Sequence, residues 1–174
     1  MDNIVLGGGC FWCLDAGFKL INGVEEVISG YAGGKADDAN YHKVGTGTTG
    51  HAEVVKVSFN SSHISLDEIL DVFWVLHDPT TLNQQGNDVG PQYRSVIFYT
   101  DERQKEIAAA SIEKVKTLWD NPVVTQLAQL EEFYPAEEPH QNYYANNSDA
   151  GYCQVIINPK LNKLRQKFSE KIKT

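Results

Sequence analysis

The chain is poor in several features, and each shortage excludes a class of protein. Its 174 residues include three cysteines, an odd and small number that does not suit the disulfide framework of a secreted domain. It has 15 basic residues against 23 acidic ones, a net charge of −8, whereas nucleic-acid binding requires a basic surface. No apolar run approaches the roughly 20 residues of a membrane span, and the acidic N-terminus lacks the regions of a signal peptide. We therefore expect a cytoplasmic protein that binds neither nucleic acid nor membrane.

The composition is that of one globular domain. Apolar residues make up 41% and charged residues 22% of the chain, which is typical of soluble proteins, and the length predicts a single domain over residues 1–174. Hydrophobic periodicity predicts strands near residues 4–6, 24–30, 55–59, 93–99 and 123–130, and helices near residues 11–22, 66–77, 101–121 and 159–172. Interleaved strands and helices favour an α+β sandwich, with helices packed on a sheet that need not be wholly parallel.

One short segment concentrates reactive and aromatic residues where the first strand meets the first helix. It reads Gly7-Gly8-Gly9-Cys10-Phe11-Trp12-Cys13. Cys10 would lie at the helix N-terminus, where unpaired amides and the helix dipole favour the nucleophilic thiolate. Adjacent Phe11 and Trp12 cannot share one helical face, so at least one ring should point away from the core. We therefore interpret Cys10 as a nucleophile beside an aromatic wall.

Two other interpretations of this segment are less specific. Free cysteines and aromatic rings are often ordinary core residues. Cys10 and Cys13 could also be half of a zinc site, which needs four ligands at suitable spacing. Cys153 stands alone, however, and the five histidines form no paired ligand motif. The sequence therefore offers no second pair of ligands for a zinc ion.

Three long polar loops, near residues 31–50, 80–92 and 133–151, carry side chains that suit a redox thiol. The loops and their edges contribute Tyr31, Tyr41, His51, Glu53, Asp88, Tyr93 and Cys153. An oxygen that leaves a sulfur centre must be protonated, and a carboxyl group beside an aromatic wall can hold a proton at neutral pH. We predict that Glu53 is this general acid, provided that the loops converge on Cys10.

Six motifs in order give the chain a close resemblance to a known family. They are Gly9-Cys10-Phe11-Trp12, Gly30-Tyr31-Ala32-Gly33-Gly34, Thr49-Gly50-His51-Ala52-Glu53, His77-Asp78-Pro79-Thr80, the pair Gln85-Gly86-Asn87-Asp88-Val89-Gly90 and Gln92-Tyr93-Arg94-Ser95, and His140-Gln141-Asn142-Tyr143-Tyr144. Over about residues 5–160 the chain resembles the peptide methionine sulfoxide reductases of the A type. It departs from their usual pattern at Asp15, where the family usually has Glu, and at Pro139.

The resemblance implies a reductase for methionine S-sulfoxide, free or in proteins, on a two-layer α/β sandwich of split βαβ (ferredoxin-like) type. In the implied reaction Cys10 attacks the sulfoxide sulfur and becomes a sulfenic acid. Glu53 protonates the departing oxygen. The substrate-binding residues implied are Phe11 and Trp12 around the methyl group, Tyr41 and Tyr93 on the oxygen, and Asp88 ordering the site. The resemblance implies no metal or bound cofactor, and we expect a monomer.

A second thiol must then condense with the sulfenic acid to a disulfide, which a thioredoxin-type reductant, or dithiothreitol in vitro, reopens. Two residues can supply that thiol. Cys153 lies where many relatives carry a resolving cysteine, and we favour it. Cys13, three residues after Cys10, is the rival resolver or a second relay.

Two other classes of function stay open at this stage. The Cys-x-x-Cys pair after a strand also suits a general thioredoxin-like disulfide oxidoreductase that uses Cys10 and Cys13. A non-enzymatic module could instead grip methionine between Phe11 and Trp12. The oxidoreductase predicts that Glu53 hardly matters for activity, and the module predicts binding without turnover.

Overall fold

The computed structural model describes residues 1–173, which form one mixed sheet with helices packed against it. The strands are β1 (Asp2–Gly7), β2 (Val24–Ala32), β3 (Ala52–Phe59), β4 (Gln84–Gln85), β5 (Asp88–Val89), β6 (Val96–Tyr99), β7 (Gln126–Gln129) and β8 (Phe133–Pro135). The helices are α1 (Phe11–Lys19), α2 (Tyr41–Val44), α3 (Leu66–Leu76), α4 (Glu102–Lys116), α5 (Tyr143–Asn146) and α6 (Asn158–Lys167). Within the described residues, no helix is long and apolar enough to cross a membrane.

The main sheet of residues 1–173 has the strand order β7-β6-β1-β3-β2-β8. Strand β7 runs parallel to β6, and the other neighbouring pairs are antiparallel. Strands β4 and β5 form a separate hairpin. The predicted α+β class and mixed sheet are therefore confirmed.

Both faces of the central strand β3 are covered. Val55, Val57 and Phe59 face the large core under the helices, as their alternation predicts. Val54, on the other face, belongs to a second apolar cluster that also contains Val5, Ala32, Ala52, Val96 and Phe98. Leu130, in the segment after β7, and Phe133, in β8, pack against this cluster, while Lys56 and Ser58 lie on the same face and keep part of it polar.

Helix α3 begins where its capping sequence predicts. The Ser65 hydroxyl accepts the Glu68 amide at 3.2 Å, and the Glu68 carboxylate accepts the Ser65 amide at the same distance. This reciprocal pair satisfies two amide groups that the first helical turn leaves free. The helix then packs Leu66, Ile69, Leu70 and Phe73 in the core.

His77, just after α3, fixes the glycine turn that precedes Cys10. Its Nδ1 donates to the Phe73 carbonyl at 2.8 Å, so Nε2 accepts from the Ser95 hydroxyl at 2.7 Å. Burial lowers the pKa of His77 to about 4, which keeps the ring neutral. A Cβ atom at Gly8 would lie 2.8 Å from this ring, so the turn can approach α3 closely because position 8 is glycine.

The predicted element boundaries needed several corrections in the second half of the chain. The strand predicted over 123–130 is limited to Gln126–Gln129. Part of the third loop pairs with the end of β2 as strand β8. Residues Cys153–Ile157 form a π-helical segment that continues into α6, which ends at Lys167 rather than at Ile172. These features depend on distant partners, which local periodicity does not report.

Candidate active site

Cys10 occupies the N-cap of α1, as the sequence predicts. Gly9 precedes it with φ of +82°, a left-handed conformation that favours glycine. The Gly9 amide donates to the Tyr93 carbonyl at 3.1 Å, which ties the turn to the loop before β6. The Cys10 side chain is 6% exposed. Cys10 is therefore largely enclosed, and the hydrogen bond from the Gly9 amide holds the backbone that precedes it.

Glu53 lies at the start of β3, 2% exposed, and reaches the first turn of α1. Its Oε1 accepts the Phe11 amide at 3.1 Å. Burial raises the pKa of Glu53 to about 8, and the charge of Asp88 adds to the rise, although hydrogen bonds from the Phe11 amide and the Cys10 thiol oppose it. At neutral pH the side chain is mostly a carboxylic acid, so it can donate a proton beside Cys10.

The Cys10 thiol stays protonated in the resting protein, contrary to the expectation from its position at the helix N-terminus. Burial raises the pKa of Cys10 well above its ordinary value, and Glu53 and Cys13 raise it further at a pH where they are ionised. The Trp12 amide lowers this pKa by hydrogen bonding. The helix end therefore favours the thiolate, but burial of the site raises the pKa of Cys10 by more than the helix end lowers it.

Phe11 and Trp12 differ in burial, although both rings lie near Tyr41 and His140. Phe11 is fully buried in the core. Trp12 is partly exposed and stacks on Tyr143 with ring centroids 3.6 Å apart. Tyr41 lies 6.4 Å from both rings and stacks on His140 at 4.1 Å. An aromatic cluster from three parts of the chain, residues 11–12, 41 and 140–143, thus lies beside Cys10.

The same ionisable groups affect the pKa values of Tyr41 and Tyr93. Burial raises the pKa of Tyr41 to about 12, and the charges of Glu53, Cys10 and Asp88 contribute. Burial and the same three charges also raise the pKa of Tyr93. Both phenols therefore remain hydrogen-bond donors at physiological pH. The loops that carry Tyr41, Glu53, Asp88 and Tyr93 do converge on Cys10.

Two residues in this region had no predicted role. The Tyr152 hydroxyl donates to Asp88 Oδ2 at 2.7 Å and lies 3.8 Å from the Cys13 sulfur. Glu137 accepts the Tyr31 hydroxyl at 2.7 Å and the Tyr41 amide at 2.9 Å, which holds Tyr41 in place. No local pattern marks either residue, and Tyr152 is distinguished in the sequence only as the neighbour of Cys153.

His51 has a structural position. Its Nδ1 accepts the Gly34 amide at 3.1 Å, and Nε2 then donates to the Lys35 carbonyl at 2.8 Å. The ring is 1% exposed. His51 thus fixes the loop after β2, and both of its nitrogens are occupied.

The three cysteines are buried and free in residues 1–173. Cys13 lies in the first turn of α1, and its amide donates to the Cys10 carbonyl at 3.1 Å. Burial raises the pKa of Cys13, while the charge of Lys160 and the hydrogen bond with Tyr152 lower it. Cys153 lies in the π-helical segment that packs against α1, and burial raises its pKa. Residues 1–173 contain no group of three or more His, Cys, Asp or Glu side chains suited to a metal ion.

Known proteins resemble this chain in sequence and in fold. The family model described as "Peptide methionine sulfoxide reductase" matches residues 2–172. A peptide methionine sulfoxide reductase MsrA of Paenarthrobacter aurescens is 54% identical over 169 residues, 97% of each chain. The crystal structure of reduced Mxr1 from Saccharomyces cerevisiae has a TM-score of 0.83 and 36% identity, covering 87% of this chain and 88% of Mxr1. Mxr1 in complex with Trx2 has a TM-score of 0.59 and 30% identity, covering 82% and 84%.

The family model and the relative each extend over nearly the whole chain. The chain belongs to the peptide methionine sulfoxide reductase family.

Proposed function

We propose that this enzyme reduces methionine S-sulfoxide, free or in proteins, to methionine by way of a sulfenic acid on Cys10. The observation that carries the proposal is the hydrogen bond from the Phe11 amide to Glu53, 3.1 Å long, which places next to Cys10 a carboxyl group whose pKa is raised to about 8. A nucleophile and a proton donor are thereby held side by side, in a site with an aromatic side wall. These are the two groups that removal of an oxygen from sulfur requires.

The first half-reaction transfers one oxygen atom and two electrons. As the Cys10 sulfur bonds to the sulfoxide sulfur, Glu53 gives its proton to the substrate oxygen and the Cys10 thiol proton returns to the Glu53 carboxylate. The sulfur–oxygen bond of the substrate then breaks, and the oxygen, as hydroxide, bonds to the Cys10 sulfur while the bond between the two sulfurs breaks. Methionine leaves, and Cys10 remains as a sulfenic acid. Phe11 and Trp12 pack on the methyl group.

The polar residues around Cys10 bind the oxygen that is transferred. Tyr41 and Tyr93 donate hydrogen bonds to it, because both phenols stay protonated. Asp88 orders the site through its hydrogen bond with Tyr152.

The second half-reaction forms a disulfide and releases water. The sequence favours Cys153 as the resolving thiol, but the reduced geometry supports the opposite order. Cys13 shares the first helical turn with Cys10, and Cys-x-x-Cys pairs close readily at a helix N-terminus. Both cysteines are 0% exposed, but Cys153 lies within a π-helical segment that also buries Ile157, so its approach requires that segment to open. We therefore propose Cys13 as first resolver and Cys153 as the second relay.

The first disulfide to form shows which of Cys13 and Cys153 reacts first with the Cys10 sulfenic acid. We expect one turnover without reductant, quenched early with an alkylating agent, to yield peptides joined through Cys10 and Cys13. In Cys153→Ser the same disulfide should form, whereas in Cys13→Ser the sulfenic acid should persist longer. Peptide mapping that finds Cys10 joined to Cys153 at the earliest times would restore the order that the sequence favours.

A thioredoxin-type dithiol is the reductant we propose, with dithiothreitol as its substitute in vitro and no bound cofactor. The similarity to Mxr1, a protein solved in complex with Trx2, supports this assignment. Residues 1–174 are proposed to act as a single catalytic domain and a monomer in the cytoplasm. The order of β1, α1, β2, β3, α3 and β6, with β1 and β3 adjacent, supports a split βαβ arrangement of ferredoxin-like type.

One assay separates the sulfoxide reductase from its alternatives. With dithiothreitol as reductant and each methionine sulfoxide epimer offered separately, we expect methionine from the S epimer and none from the R epimer. A thioredoxin-like oxidoreductase would reduce protein disulfides and leave both epimers intact, and a binding module would bind the sulfoxide without turnover. Reduction of the R epimer alone would contradict the proposed function.

A further inference from the structure

A groove runs along α6 and ends beside the active site. Three cavities lie in a row there, of about 430, 260 and 470 Å³. The first two share Val75, Trp119 and Lys163, and the second and third share Gln85, Pro159 and Lys160. They therefore form one continuous surface, which we call the α6 groove.

Three lysines follow one wall of the α6 groove. Lys160, Lys163 and Lys167 are spaced three and four residues apart, which places them on one side of the helix. Leu161 and Leu164, on the adjoining face of the helix, are buried. Neither Lys163 nor Lys167 takes part in the ion pairs found in residues 1–173, and both are exposed. In a chain with a net charge of −8, this is a local row of unneutralised positive charge.

The acidic residues along the α6 groove are already engaged. Asp71 pairs with Lys114 at 3.0 Å. Asp78 accepts the amide of Thr80 at 2.8 Å. Asp88 accepts the Tyr152 hydroxyl at 2.7 Å. The end formed by Lys163 and Lys167 is thus the most positive part of the groove and the part that suits an anionic occupant.

The α6 groove also offers apolar surface. Trp74, Trp119 and Phe168 line the cavity farthest from Cys10. Leu118, 74% exposed, borders that cavity, and Val155, 70% exposed, borders the cavity nearest Cys10. An occupant of this groove would therefore combine acidic groups with apolar side chains.

The groove is continuous with the proposed reaction site. Its third cavity is lined by Asp88 and Tyr152, and Tyr152 lies edge-on to Trp12 with ring centroids 5.6 Å apart. From Lys160 to Lys167 the helix rises by about 10 Å, a length that about three residues of extended peptide cover. A chain segment that leaves the methionine pocket can therefore follow the row of lysines.

We propose that the α6 groove binds the segment next to the oxidised methionine in a protein substrate, and that it favours segments with acidic residues on one side of that methionine. This inference rests on the proposed function and adds a substrate preference to it. Exposed ion pairs are weak individually, so two of them should improve kcat/KM by about three- to tenfold. Since the pairs are exposed, salt should reduce the preference.

The test compares peptides of equal length with one central methionine S-sulfoxide and dithiothreitol as reductant. One peptide has two Asp residues several positions before the sulfoxide, a second has them after it, and a third has Asn at the same positions. With the wild-type protein we expect kcat/KM to rise for one acidic peptide over the Asn peptide, mainly through a lower KM. The ratio of kcat/KM for the acidic peptide to kcat/KM for the Asn peptide should approach one in 1 M salt and in the double variant Lys163→Gln/Lys167→Gln.

The control variant Lys105→Gln/Lys116→Gln removes two positive charges from α4, outside the groove lining, and should keep the wild-type ratio. Equal kcat/KM values for the three peptides would overturn the inference while leaving the proposed function intact. Loss of the ratio in both double variants would also overturn it, because net charge would then be the cause. If the wild-type protein reduces none of the peptides, the proposed function itself fails.

Discussion

Replacing Cys10 by serine is expected to lower kcat/KM for methionine S-sulfoxide by roughly 10⁵-fold or more, the scale on which a covalent enzyme loses activity with its nucleophile. A serine hydroxyl cannot form the sulfenic acid, and the enclosed site of Cys10 offers no other group at the same place. Assay with dithiothreitol and quantification of methionine checks the prediction.

The fold should survive this change, because only one atom is exchanged and Cys10 occupies the N-cap of α1, a position that favours serine. Circular dichroism and the urea midpoint of unfolding of Cys10→Ser should therefore match those of the wild-type protein. Activity near the wild-type level in a correctly folded Cys10→Ser protein would contradict the assignment of the nucleophile.

Glu53→Gln is expected to lower kcat by about 10²- to 10⁴-fold, the usual contribution of a general acid. Glutamine keeps the shape of the side chain and can still accept the Phe11 amide through its carbonyl oxygen, so the lost group is the transferable proton. Glu26→Gln, an exposed position on β2, is the matched control and should retain wild-type activity. A thioredoxin-like oxidoreductase would tolerate Glu53→Gln.

The pH profile tests the same role independently. The pKa of Glu53 is raised to about 8, so the proton-donating form is present below that pH and is lost as the pH rises through it. The wild-type kcat/KM should therefore fall above about pH 8. In Glu53→Gln the residual activity should lack this alkaline decrease.

Local signals predicted the parts of the molecule that depend on near neighbours. The glycine turn, the aromatic pair and the apolar spacing after Phe11 are sufficient to locate Cys10 at the start of α1. The serine and glutamate of the α3 capping box hydrogen-bond within one turn, so their spacing alone identifies the helix start.

Contacts between distant residues were not predictable in this way. Strand β8 depends on pairing with the end of β2, and Tyr152 gains its importance from Asp88, 64 residues earlier. The protonated Cys10 thiol has the same origin: the helix N-terminus is a local signal, whereas the burial that outweighs it comes from the assembled fold. The motifs indicated which residues come together. The structure shows which of their opposing effects on the pKa of Cys10 is larger.

The central claim is that the substrate oxygen is transferred to the Cys10 sulfur. A single-turnover experiment on the double variant Cys13→Ser/Cys153→Ser tests it directly. Without resolving thiols the reaction should stop at the sulfenic acid. We predict one equivalent of methionine per protein and, after trapping with a sulfenic-acid reagent, a modified Cys10 in the mass spectrum of the digested protein. No methionine from this variant, or an unmodified Cys10 after methionine has formed, would contradict the account.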